Sequence, residues 1–186
     1  MLLLAHVGYT TGTVGISQKL ALRRPLDYRL IALMAILPDV IDRVLYVFVI
    51  PGAEAGRLFA HTLLFNLVLL AVLVTIRRDL WIYGVLPLAH LLLDLEGLSA
   101  GQLFWPFLGT DLSNVGIPGG LGETAGQPYA DRVRDRIEAI LGTYGEASVR
   151  TFLIDAGGLV ALMVLAVKAK LYQWPRLRRL IAAGNI

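Results

Sequence analysis

The chain has 186 residues, 56% hydrophobic and 17% charged, with mean hydropathy +0.67 and a formal charge of +3. Soluble domains of this length carry about a quarter charged residues, so disorder and an ordinary cytosolic enzyme are excluded. The absence of cysteine excludes a disulfide scaffold, thiol catalysis, iron–sulfur clusters and thiolate zinc sites. The composition points to a single membrane-embedded, all-α domain over residues 1–186, a multi-span bundle of about four to five helices.

Met1–His6 lacks a basic start, so no secretory signal is expected. Val7 to Leu22 is rich in glycine and threonine, which suits a helix packed closely against others in lipid. Arg29 to Ile50 is long enough to cross but is expected to break at Pro38-Asp39, with further charge at Asp42-Arg43. Leu58 to Ile76 is nineteen residues without a formal charge, roughly 28 Å as a helix and matched to a hydrocarbon core of ~30 Å. Leu80 to Leu93 contains Pro87 and His90. Residues 96–150 read as an extramembrane loop with an amphipathic helix at Tyr129–Leu141, and Thr151 to Val167 as the last crossing. The tail Trp174–Ile186 reads as a basic interfacial segment.

Basic residues set an expected orientation. Lys19, Arg23, Arg24 and Arg29 form one cluster, Arg77 and Arg78 a second, and Lys168, Lys170, Arg176, Arg178 and Arg179 a third. Five alternating crossings bring all three to one side, which the positive-inside rule makes cytoplasmic. Counting helix rise from that side places Asp39, His61, His90 and Asp94 at ~15–24 Å, with His6 at a similar level. All three histidines thus fall at one depth with two acids, in the outer half of the membrane.

Ionisable residues at membrane depth are costly and mark function by default. His90 and Asp94, four apart, share a helix face and can hold one ion. Nitrogen and oxygen ligands without thiolate suit Zn²⁺, with Mn²⁺ or Fe²⁺ as alternatives. Asp39, His61, His90 and Asp94 would saturate one ion, and His6 could attach a second that shares Asp94. Against this stand plainer readings. A single histidine in an apolar run is often a packed residue; Asp39 after proline can cap a helix; Asp42 and Arg43 can form a loop ion pair. Asp155 reads as a helix-end residue. Coincidence of depth favours the metal site.

The ordered pieces are an early histidine, Leu37-Pro38-Asp39, Arg57 with His61-Thr62, His90-Leu91-Leu92-Leu93-Asp94 and Trp105-Pro106-Phe107. Over residues 1–110 this resembles the membrane-bound metal-dependent hydrolase family, formerly a domain of unknown function, whose signature runs LPD, HRGxTHS, HxxxD and PF. Gly56 stands where the family's first HRGxTHS histidine would be, Thr62 replaces its serine, and the acid after LPD falls at Asp42. That family is in turn similar to zinc-dependent phospholipase C, which implies a phospholipase C-like helical core. It also implies Asp39, His61, His90 and Asp94 on one ion and His6 with Asp94 on another. The analogy carries associational weight alone.

The expected function is hydrolysis of a phosphoester, in a membrane lipid or lipid-linked substrate, by metal-activated water. Arg57 would neutralise phosphate charge, and Asp42 would act as general base or orient a ligating histidine. The expected location is the inner membrane, with the site towards the outer face. The alternative is a non-enzymatic metal-binding membrane protein, either an ion carrier or a scaffold. Nucleic acid is not expected as a partner, because the charge is modest and the site embedded.

Overall fold

A computed structural model describes residues 3–17, 25–50, 53, 57–117, 128–145 and 149–185. Among these the architecture is all-α, with no strand. In chain order the helices are α1 (Leu3–Ser17), α2 (Tyr28–Val44), α3 (Leu63–Ile76), α4 (Trp81–Leu93), α5 (Ala100–Leu103), α6 (Tyr129–Gly145), α7 (Val149–Lys168) and α8 (Trp174–Ala183). Lys19, Arg23, Arg24, Gly56 and the Pro118–Gln127 stretch lie outside the described residues.

Small residues let α1 and α7 meet backbone to backbone. A Cβ on Gly158 would lie 2.5 Å from Ala5 Cα, and one on Gly8 would collide with the Gly158 carbonyl. Close approach of this kind is how glycine-rich helices pack in lipid. It is reinforced by Tyr9, whose hydroxyl donates to the Ile154 carbonyl at 2.9 Å. Next to this pair, α2 packs on both α1 and α4, and α3 packs on α4.

The break expected at Pro38-Asp39 is absent. Helix α2 runs through Pro38 and continues into a π-helical turn, Leu45–Val49, while α4 runs through Pro87. Proline removes one helical hydrogen bond and crowds the preceding turn, a cost that tertiary packing evidently offsets here. Pro38 and Pro87 are both fully buried.

The nineteen-residue crossing read from Leu58 to Ile76 is not one helix. Leu58 is non-helical, Phe59–His61 form a 3-10 turn, and α3 begins only at Leu63, leaving fourteen helical residues. Asp42 is the cause. Its carboxylate accepts from the backbone N–H of Leu58 (2.6 Å), Ala60 (2.9 Å) and His61 (3.2 Å), satisfying donors that a helix would otherwise leave unpaired at its start. Thr62 then caps α3 by accepting from the Phe65 N–H at 3.1 Å. Among the described residues no helix is long and apolar enough to cross a membrane.

Two cores divide the bundle lengthwise. At one end Val14, Leu26, Tyr28, Ile31, Ile82, Tyr83 and Leu86 cluster, with Leu80, Leu165 and Leu180 packed against them. This end carries Arg29, Arg77, Arg78 and the C-terminal cations. Arg29 grips Asp27 (2.7 Å) and donates to the Ile181 and Ala182 carbonyls, both at 3.0 Å, tying α8 to the start of α2. That grip holds the Asp27 carboxyl below its usual pKa range. At the other end Ile50, Ala53, Leu58, Val115 and Ile117 form a second core with Phe59 and Trp105. The Trp105–Pro106 peptide is cis.

Helix α6 exists where the amphipathic pattern places it and extends to Gly145. Its Arg136 is buried. Nη1 donates to the Ile50 carbonyl at 2.9 Å and to that of Tyr46, Nη2 donates to Ala53 at 2.9 Å, and the guanidinium lies 4.7 Å from the Tyr46 ring centroid. One arginine thus satisfies carbonyls left over where α2 unwinds.

Candidate metal centre

The five residues expected to meet do meet. His6 comes from the first turns of α1, Asp39 from the fourth turn of α2, and His61 from the 3-10 turn before α3. His90 lies near the end of α4, and Asp94 is that helix's C-terminal cap. Asp94 does not sit inside a helix with His90, but its N–H still bonds the His90 carbonyl at 3.1 Å. Their four-residue spacing therefore keeps both side chains at one place. All five side chains are buried.

Asp39, His61, His90 and Asp94 each offer an atom within 4.8 Å of the others'. His61 Nε2 lies 3.6 Å from Asp39 Oδ1 and 3.9 Å from Asp94 Oδ2, while His90 Nε2 lies 4.0 Å from Asp39 Oδ2. Four ligands at about 2.0–2.1 Å around a tetrahedral ion sit about 3.3 Å apart. Shifts of less than about 1 Å therefore close the shell.

Hydrogen bonding fixes which nitrogens face inward. His90 Nδ1 lies 2.8 Å from the Ala35 carbonyl, an obligate acceptor, so Nδ1 carries the proton. His61 Nδ1 lies 2.7 Å from Asp42 Oδ2 and is protonated for the same reason. The two Nε2 atoms then face each other at 3.3 Å. In neutral imidazoles both carry lone pairs, and two lone pairs beside two carboxylates make a donor group that could hold a cation. This is the usual outer arrangement of metal-binding histidines, with the far ring nitrogen anchored to a carbonyl or carboxylate.

His6 stands beside this group. Its Nε2 is 3.2 Å from Asp94 Oδ1, in ion-pair range though off hydrogen-bond alignment, and its ring stacks on His90 with centroids 4.0 Å apart. Among the described residues neither ring nitrogen of His6 has a hydrogen-bond partner although the residue is fully buried. A buried nitrogen without a hydrogen bond is costly, and Nε2, already beside the Asp94 carboxylate, is the one placed to share a ligand with it.

Arg57 closes one side. Its Nε and Nη2 donate to Asp94 Oδ2 at 3.1 and 2.8 Å, and Nη1 donates to the Gly97 carbonyl at 3.1 Å. Its own carbonyl accepts from Gln102 Nε2 at 2.8 Å. With 34% of its side chain exposed, Arg57 is the least buried member of the group. Asp42 stands behind His61, fully buried and remote from any loop pairing of the kind its neighbour Arg43 suggested.

The comparison with known families is decided by one match. The model of the YdjM inner membrane protein family covers residues 1–177. The chain belongs to that family. Membership supports a membrane location, and it covers all five residues of the cluster together with Asp42 and Arg57. No curated protein and no solved structure matches the chain.

Sequence reasoning missed the Ala35 carbonyl, Gln102 and Arg136. Pro38 gives no signal for the Ala35 partnership, because the carbonyl it leaves without a helical donor is that of Met34. Gln102 and Arg136 had none, because each acts on backbone carbonyls far away in sequence.

Proposed function

We propose that the protein is a metal-dependent hydrolase of a phosphoester in a membrane lipid or lipid-linked molecule. The observation that carries the reading is the pair of His61 and His90 Nε2 lone pairs, 3.3 Å apart and flanked by Asp39 and Asp94. Asp39, His61, His90 and Asp94 would hold the first ion, and His6 with Asp94 a second. Zinc fits the donor set, with manganese or iron as alternatives. A bound ion would supply Lewis acidity towards a phosphoryl oxygen and lower the pKa of water.

The protein's own groups do the rest. Three of Arg57's five N–H groups are taken by Asp94 and Gly97; among the described residues the others are free to take a phosphate oxygen at the site's exposed edge. Asp42, with three backbone donors and His61 on its two oxygens, is a positioning residue rather than a base. Leu92 is 68% exposed, Phe107 70% and Leu108 63%, apolar side chains of the kind acyl chains would cover. The family's membrane character and the apolar content of the chain support a membrane-embedded bundle; the outer-face position proposed for the site rests on the positive-inside count of the basic clusters.

The test is purified protein in detergent, assayed for metal content and for release of phosphate or headgroup from phospholipids and lipid-linked phosphates. Release should vanish on chelation and in Asp39→Asn. Full burial of His61, His90 and Asp42 favours the alternative of a metal-stabilised scaffold or ion carrier. Stoichiometric metal without hydrolysis of any such substrate would establish that alternative.

A further inference from the structure

We propose that α8 and the cations around it form a docking surface for anionic lipid headgroups, with α8 lying along the membrane interface. After Asp155 the chain carries Lys168, Lys170, Arg176, Arg178 and Arg179 and not one acid. These five are exposed, and no described acid pairs with them. Arg78 lies beside the same core, whereas Arg29 and Arg77 are already engaged by Asp27 and Asp79.

Helical geometry places Trp174, Leu177, Leu180 and Ile181 on one arc of α8, with Arg178, Arg179 and Arg176 around the remainder. Only part of that arc is used by the protein. Leu180 packs against the core of Tyr28, Ile31 and Ile82, while Trp174 is 67% and Ile181 61% exposed. A tryptophan and an isoleucine about two helical turns apart, edged by unneutralised arginines, are what an interfacial helix presents to lipid. Exposed Trp81, Ile76 and Tyr172 border the same end. Charge decides the occupant: an excess of cations calls for phosphatidylglycerol-type headgroups rather than zwitterionic ones. Arg29 holds the C-terminal turn of α8 against α2, so the surface is preformed.

Each cation near an anionic surface contributes about a fivefold preference. The experiment titrates phosphatidylglycerol into phosphatidylcholine micelles holding the full chain and follows Trp174 emission. The difference spectrum between wild type and Trp174→Phe isolates that residue. The expected result is a blue shift as phosphatidylglycerol rises, with the midpoint moved at least about tenfold higher in Arg176→Gln/Arg178→Gln/Arg179→Gln. An unchanged helical circular dichroism spectrum in the triple variant reports that the bundle is intact. Equal emission in both lipids, or a midpoint the triple variant does not move, overturns the proposal. So does a blue shift that depends on protein rather than lipid concentration, which assigns the face to a second copy of the chain.

Discussion

The two ends of the bundle handle charge in opposite ways. At the site end three histidines and three acids are buried, and each of Asp42, Asp94, His61 and His90 is committed to a partner by geometry. At the other end cations stand exposed, and only Arg29 and Arg77 hold described acids. Burial makes a polar group expensive unless it is paired, so the site end has to be exact in its contacts and intolerant of change. Exposure makes single charges cheap, so the basic end can carry an excess whose effect is collective.

The contrast is sharpest for Asp42. Asp42→Ala strands three buried N–H donors and the His61 ring, at about 1–3 kcal/mol for each donor. Against a total stability of about 5–15 kcal/mol, the variant should be unfolded or melt far below wild type in a detergent thermal scan. Asp42→Asn, which keeps one acceptor oxygen, should fall between. A melt of Asp42→Ala that matches wild type would break the comparison.

Asp39→Asn and His90→Ala should cost more metal affinity than the roughly 10–100-fold typical of changes to an outer hydrogen-bonding partner. Chelator competition measures this, and equal affinity in these variants and wild type sinks the four-residue site.

Next in size is Gly158→Ala. Its new Cβ meets Ala5 backbone at 2.5 Å and should destabilise by about 1–3 kcal/mol. Because α1 carries His6 and none of the other four ligands, this variant should lower the affinity of a second ion before the first. Calorimetric metal titration resolves the order.

Arg136→Ala leaves carbonyls of Tyr46, Ile50 and Ala53 without their donor and should destabilise by about 1–3 kcal/mol, read as a lowered thermal midpoint. Smallest of all is Arg178→Gln, expected within about 0.5 kcal/mol of wild type by the same scan. A large loss there would mean that the basic end is structural after all.

The candidate ligands were legible because helix rise is fixed. Residue counts from the basic clusters put His6, Asp39, His61, His90 and Asp94 at one level, and they converge even though α3 starts late and Asp94 lies just past α4. The start of α3 was not legible. Nothing in the apolar run from Leu58 onward announces that Asp42, sixteen residues upstream, accepts its backbone donors. Pro38 misled for a related reason, since local propensity gives no account of the packing that keeps α2 continuous.

By itself the sequence determined an all-α, strongly apolar chain, its nitrogen and oxygen donor set, and the sorting of acids and histidines from cations along the helices. These follow from composition and from a helical period that needs no tertiary contact. Only the tertiary structure decided which ring nitrogens face the centre, that Asp42 builds the turn carrying His61, and that Arg57 grips Asp94 while Arg136 closes the end of α2. Each of those depends on a hydrogen bond between residues far apart in the chain, and its strength comes from burial that exists only once the bundle has closed.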